Sequence, residues 1–167
     1  MQSSIHEHLL SLRILNIDDD DIDRMNLTRQ LKAANSNIEV VATANVEDAL
    51  QYLENERFDM IFVDYFMPKV TGFEFINYLN TSTEINIPIV VLSNMEDMTI
   101  SLECLIAGAQ DFILKSEINS SRLIRVILQS RKRNEIKQAL VESNQQLKEL
   151  AEIDQLTGLE NRYMFDR

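Results

Sequence analysis

The sequence predicts an α/β protein: a doubly wound, five-stranded parallel sheet of order 2-1-3-4-5, carrying an extended C-terminal helix. Three observations predict it. Five short apolar runs alternate with segments of helical spacing, the pattern of crossover units on a parallel sheet. One run, Met60-Ile61-Phe62-Val63, is continuously apolar, as expected of a strand covered on both faces. Each run but the second ends in residues able to do chemistry, and right-handed crossovers place all those ends on one sheet edge.

The elements follow in order. Arg13 to Ile17 is the first strand and runs into Asp18-Asp19-Asp20-Asp21, with Asp23 close behind. A helix with Ile22, Met25, Leu27, Leu31 and Ala34 at helical spacing is expected next, closed by Asn35-Ser36-Asn37. Ile38 to Thr43 is the second strand. Asn45 caps the next helix, with Ala49, Leu50 and Leu53 inward. The third strand ends at Asp64, and Pro68 and Gly72 break the chain behind it. A helix from about Gly72 to Leu79 leads to the fourth strand, Ile87 to Leu92, which ends at Ser93-Asn94. A helix from about Asp97 to Ala107 stops at Gly108, and Asp111 to Leu114 is the fifth strand, ending at Lys115. From about Ser120 the chain reads as helix almost to its end.

Composition narrows the function. The 167 residues carry 27 acids against 16 Lys and Arg, a net charge of −11, which repels phosphates and excludes nonspecific nucleic-acid binding. Residues 1–121 hold 7 basic and 20 acidic side chains; residues 122–167 hold 9 and 7. No apolar run approaches the ~20 residues of a membrane span, and no signal peptide is read, so a cytoplasmic protein with no membrane partner is expected. Cys104 is the only cysteine and reads as a small inert core residue. His6 and His8 read as part of a solvated tail.

In the 2-1-3-4-5 order the first and third strands are neighbours, so Asp18, Asp19 and Asp64 converge at the switch point where ligands settle. Three carboxylates together call for a hard divalent cation, and Mg²⁺ is the natural choice. Asp64 beside such an ion and Lys115 is suited to accept a phosphoryl group as nucleophile, with Ser93 donating a hydrogen bond to a phosphoryl oxygen. Singly, each residue has a plain reading: an acidic helix start favourable to the helix dipole, a surface lysine, a loop hydroxyl. Jointly those readings require five coincidences on one sheet edge.

Four motifs in order resemble the receiver domain of bacterial two-component response regulators, over about residues 12–128: Ile17-Asp18-Asp19-Asp20 with Arg24; Val63-Asp64 with Met67-Pro68 and Gly72; Val90-Val91-Leu92-Ser93; and Gly108-Ala109-Gln110-Asp111-Phe112-Ile113-Leu114-Lys115. The resemblance implies a flavodoxin-like (βα)5 fold. It implies that Asp64 is the phospho-acceptor, that Asp18, Asp19, Asp64 and the Phe66 backbone carbonyl hold Mg²⁺, that Ser93 and Lys115 respond to the phosphate, and that Phe112 is an aromatic switch. It also implies a histidine kinase or phosphotransfer protein as donor. Two departures stand out. Ser116 replaces the proline that usually follows the lysine in a cis peptide; a cis bond before a non-proline costs about 2.5–4 kcal/mol, so this loop is expected to be trans or strained. Phe66 and Met95, two positions beyond Asp64 and Ser93, are apolar where the family flanks the path of the hydrolytic water, so slow loss of the phosphoryl group is expected.

Residues 1–11 are expected to be a tail, 129–153 a coiled-coil signalling helix and 154–167 the start of a further domain. Ile136, Leu140, Ser143, Leu147 and Leu150 recur at steps of four and three, a seam that predicts a parallel homodimer through this helix. Asp154-Gln155-Leu156-Thr157-Gly158-Leu159-Glu160-Asn161-Arg162-Tyr163-Met164-Phe165 resembles the entry segment of GGDEF domains, the diguanylate cyclases. The Gly-Gly-Asp/Glu-Glu-Phe segment itself does not occur in these 167 residues, so the chain reads as the first part of a longer cyclase, either a cut piece or a natural truncation, and is expected to make no cyclic dinucleotide itself. A phosphorylation-independent interaction module, a metal-dependent phosphohydrolase and a DNA-binding regulator are the competing readings. They are disfavoured respectively by Asp64 with Lys115, by the lack of a cap domain and of an added general acid, and by the lack of a helix-turn-helix.

Overall fold

The computed structural model describes residues 11–152. The tail with His6 and His8, and the GGDEF-like string from Asp154, lie outside the described residues. The elements are β1 (Arg13–Ile17), α1 (Asp21–Ala34), β2 (Glu39–Thr43), α2 (Val46–Asn55), β3 (Met60–Asp64), α3 (Gly72–Ser82), β4 (Ile89–Ser93), α4 (Met98–Ala107), β5 (Asp111–Leu114), a 3-10 turn (Lys115–Glu117) and α5 (Ser120–Glu152). The strands form one parallel sheet of order β2-β1-β3-β4-β5, as the sequence predicts.

Strand alternation explains the two layers. Ile14, Phe62, Val90, Leu92 and Ile113 face one side of the sheet and pack with Leu27 and Leu31 of α1 and with Leu123, Val126 and Ile127 of α5. Leu15, Ile17, Ile61, Val63, Ile89 and Val91 face the other, against α2, α3 and Cys104 of α4. All five residues of β3 are buried, Asp64 included. Burial raises the Cys104 thiol to about 11, so this cysteine is an unreactive core residue at neutral pH.

The helix ends are set locally. Asp20 caps α1 by accepting the backbone N–H groups of Ile22 and Asp23 at 2.8 and 3.1 Å. Asn45 caps α2 through Asp48 N–H at 2.8 Å, as expected. Thr71 and Glu74 form a reciprocal capping box on α3, which runs to Ser82 rather than stopping near Leu79. Gly108 ends α4 with φ 113°, a conformation that favours glycine. β4 starts at Ile89, two residues later than expected, because Pro88 has no N–H to give the ladder; its carbonyl instead accepts Ile61 N–H at 2.9 Å.

The helix expected over Ile22 to Ala34 forms as α1, but its apolar side chains do not share one face. Leu27 and Leu31 are buried, but Ile22 and Met25 are 76% and 72% exposed. At about 100° per residue, Met25 lies roughly 200° and Ile22 roughly 140° from Leu27, so neither shares its face. The Lys115-Ser116 peptide is trans, as are all peptide bonds among the described residues.

Gly72 brings the start of α3 against the strand that carries Asp64. A Cβ there would stand 3.1 Å from both the Asp64 carbonyl oxygen and the Tyr65 Cα, and the Gly72 N–H already donates to the Tyr65 carbonyl at 2.9 Å. Since both obstacles are backbone, Gly72→Val is expected to destabilise the fold by about 2 kcal/mol, measured by urea unfolding.

The chain divides into two units after Leu128. In the second, α5 continues as helix to Glu152, with Ile136, Leu140, Leu147 and Leu150 each more than half exposed. No helix among the described residues is long and apolar enough to cross a membrane.

Candidate functional site

The site stands on the edge where β1, β3, β4 and β5 end. Parallel pairing sets Ile17 beside Val63, so the next residue of each strand, Asp18 and Asp64, emerge together. Pairing of Asp64 with Leu92 and of Ser93 with Leu114 brings Ser93 and Lys115 to the same edge.

Asp18, Asp19 and Asp64 each offer one carboxylate oxygen within 4.8 Å of the others. Asp18 and Asp64 are buried and Asp19 is exposed. Asp18 uses Oδ1 to accept the Asp20 N–H at 2.9 Å, which fixes the acidic loop and leaves Oδ2 for Lys115. Arg24 fastens the same loop: its guanidinium donates to the Asp18 carbonyl and pairs with Asp21.

Lys115 is the centre of the electrostatics. Its side chain is only 7% exposed, and Nζ reaches Asp18 Oδ2 at 2.7 Å, Asp23 Oδ2 at 2.7 Å and Asp64 Oδ2 at 3.3 Å. Burial alone would depress its pKa, but hydrogen bonds to Asp18 and Asp23 and the nearby carboxylate charges outweigh it, so the ammonium is held charged above its ordinary range. Asp64 moves the other way. Burial, opposed by Lys115 and reinforced by the charge of Asp18, raises its carboxyl from 3.8 to about 6. Burial raises Asp18 as well, against the pull of Lys115. At neutral pH Asp64 is therefore mostly ionised, but in a setting that resists its charge.

Ser93 is fully buried at the end of β4, where its hydroxyl donates to the Met95 carbonyl and accepts the Met95 N–H, both at 3.1 Å. Phe112 is half-buried on β5 and packs on the same apolar layer as Tyr65, Ile100 and Ala107. Phe66 and Met95 are 45% and 56% exposed. Asp18, Asp19, Asp64 and Lys115 thus form one cluster.

Sequence reasoning gave Asp23 no role. It lies four residues before the buried Leu27 and so on the inward face of α1, the signal that marks it as turned to the sheet edge.

A model of the response regulator receiver domain matches residues 14–128. The chain belongs to that family. The receiver is 35% identical over 104 residues to the two-component response regulator ORR7 of Oryza sativa subsp. japonica, covering 61% of this chain and 49% of that protein. It is 32% identical over 111 residues to the two-component response regulator-like APRR7 of Arabidopsis thaliana, covering 65% and 15% respectively. The receiver chain spans about half the length of the first curated relatives it matches, 49% and 48%. Among solved structures it is similar to the chemotaxis response regulator CheY4 of Vibrio cholerae, at 26% identity and a TM-score of 0.59, covering 73% of this chain and 97% of that one. The receiver domain of the Francisella response regulator 1452 superposes with a TM-score of 0.65 at 24% identity, covering 74% and 98%, and shares the receiver fold.

Proposed function

We propose that this receiver takes a phosphoryl group from a histidine kinase or phosphotransfer protein onto Asp64. The observation that carries this reading is the cluster itself: a buried carboxylate at the end of β3, an oxygen-only group of three acids, and a buried ammonium paired with two of them, Asp18 and Asp64. A module that only bound partners would have no use for so costly an arrangement, since buried charges are retained at an energetic penalty.

The donor set fits a hard divalent cation, being all oxygen, with one exposed acid left accessible to solvent. Asp18, Asp19, Asp64 and the Phe66 carbonyl would hold Mg²⁺, which when bound supplies charge neutralisation for the phosphoryl oxygens. The protein's own residues do the rest. An Asp64 carboxylate oxygen attacks the phosphorus of a phosphohistidine; the phosphorus–nitrogen bond breaks, and its electron pair leaves with the imidazole. Lys115 donates from Nζ to the phosphoryl oxygens. Ser93 gives up the Met95 carbonyl to donate its hydroxyl proton to the same group. Movement of the Ser93–Met95 loop away from that resting contact frees space against which Phe112 repacks, which makes Ser93 and Phe112 the switch pair.

Mass spectrometry after incubation with acetyl phosphate and Mg²⁺ tests the reading. One adduct of about 80 Da is expected, and no adduct in the wild type sinks it.

Phe66 and Met95 hold apolar side chains beside the reacting edge, where they hinder the approach of an attacking water. The adduct is expected to persist for hours, and Met95→Asn to shorten its lifetime by about ten-fold, followed by loss of the mass adduct with time.

For output, the chain is read as the regulatory part of a diguanylate cyclase that acts as a dimer. Supporting this are the GGDEF-like string from Asp154 and the exposed apolar residues Ile136, Leu140, Leu147 and Leu150, at steps of four, seven and three. A helix this long with exposed apolar positions gains most by pairing with a second copy, and making a two-fold dinucleotide requires two catalytic domains face to face.

A further inference from the structure

We infer that Asp23 is a positioning residue: it holds Lys115 in the unphosphorylated state and competes with the phosphoryl group for it. The inference rests on the phosphoryl-acceptor reading of Asp64.

An ammonium has three N–H groups, and those of Lys115 face three carboxylates. The amine is drawn toward Asp18 and Asp23, both at 2.7 Å, and stands off from Asp64 at 3.3 Å. For Lys115 to serve oxygens added to Asp64, it must move toward Asp64 and weaken another contact. Asp18 is a poor choice to abandon: its side chain is 2% exposed, and losing its partner would leave a buried charge uncompensated. Asp23 is 31% exposed, so water replaces Lys115 there at small cost. Asp23 also stands outside the group of three acids that offer oxygens to a cation. It is therefore the partner that Lys115 exchanges for the phosphoryl group, and its full negative charge sets how firmly the resting state keeps the lysine.

Asp23→Asn keeps the shape and one acceptor oxygen but removes the charge, and Asp23→Ala removes both. Glu54→Gln is a control for the loss of one negative charge, since Glu54 is exposed on α2 and is not among the partners of Lys115. The phosphorylation rate is measured with acetyl phosphate at saturating Mg²⁺. Both Asp23 variants are expected to be phosphorylated about three-fold faster or more than wild type, with Glu54→Gln unchanged. A second readout needs no phosphate: by NMR, the Lys115 ammonium protons are expected to exchange with water faster in Asp23→Asn than in wild type.

An equal or slower rate in the Asp23 variants overturns the inference, as does the same gain in Glu54→Gln or unchanged ammonium exchange. If the wild type takes up phosphate and these tests fail, the acceptor reading of Asp64 survives alone. If neither wild type nor variants form an adduct, the acceptor reading falls and the inference with it.

Discussion

Lys115→Met is expected to destabilise the protein by about 3 kcal/mol at pH 8 without divalent ions, a fall in Tm of roughly 10 °C. Methionine keeps most of the length of the side chain, so little volume is lost. What is lost is the cation that three carboxylates share, two of them nearly inaccessible to water. The sign with pH can be worked out. The Lys115 pKa is raised in the folded state, so its contribution is fully present below the ordinary lysine value and lost only as pH rises through the higher folded one. Between pH 5 and 9 the lysine itself therefore contributes no slope. The slope in the variant comes from the acids: with Lys115 gone, Asp18 and Asp64 take up protons more readily, and the deficit shrinks as pH falls. Differential scanning calorimetry from pH 5 to 8 checks both size and direction. Mg²⁺ is expected to restore part of the loss, because it supplies charge to the same oxygens.

Asp64→Asn is expected to abolish the phosphoryl adduct and to raise stability. The first follows from removing the nucleophile. The second follows from the pKa. In the folded protein the Asp64 carboxyl titrates at about 6, against an ordinary value of 3.8. The folded state therefore binds the proton more tightly than the unfolded chain, and stability falls as pH rises from about 4 through 6. The penalty is complete above pH 6 and absent below about pH 4. A shift of this size corresponds to about 2–3 kcal/mol, so Tm of the variant at pH 8 in chelator should exceed that of wild type by roughly 5 °C or more. The gap should close toward pH 4, and Mg²⁺ should narrow it at pH 8 by stabilising the wild type alone. A variant no more stable than wild type at pH 8 would contradict the account of Asp64 as a carboxylate held against its preference.

Much of this site is legible in the sequence, and the reason is topological. Asp18, Asp64, Ser93 and Lys115 each end a strand or follow one directly, and a parallel sheet brings every such residue to one edge whatever the packing details. The strand order is legible for a similar reason, since alternation of strands and helices leaves few arrangements. What depends on helix rotation is harder. Ile22 and Met25 are apolar and look inward by type, yet they point away from the sheet, while the charged Asp23 points toward it. Residue type alone favours the wrong assignment at all three positions. The angle from Leu27 decides them, and that angle is known only once Leu27 is anchored in the core. The resting contacts of Ser93 with Met95 are likewise not legible, because they depend on how the loop after β4 folds back on its own hydroxyl. The start of β4 could have been read: Pro88 carries no N–H, and the ladder begins just beyond it.

The exposed residues of the second unit raise a different question, namely whether the seam from Ile136 to Leu150 does what its spacing implies. Its four apolar side chains would be an unusual load for a solvated single helix, and the cyclase reading depends on their being paired. The phosphoryl chemistry of Asp64 does not depend on it, so the two parts of the account stand separately.

The most direct test of the central claim is to map the modified residue. Protein treated with acetyl phosphate and Mg²⁺ is reduced with borohydride, which converts an aspartyl phosphate to homoserine, and its peptides are sequenced by tandem mass spectrometry. The account predicts homoserine at position 64 and nowhere else, with none formed in Asp64→Asn. Homoserine at Asp18, Asp19 or Asp23, or an adduct on wild type that survives reduction as a phosphate ester, would contradict it.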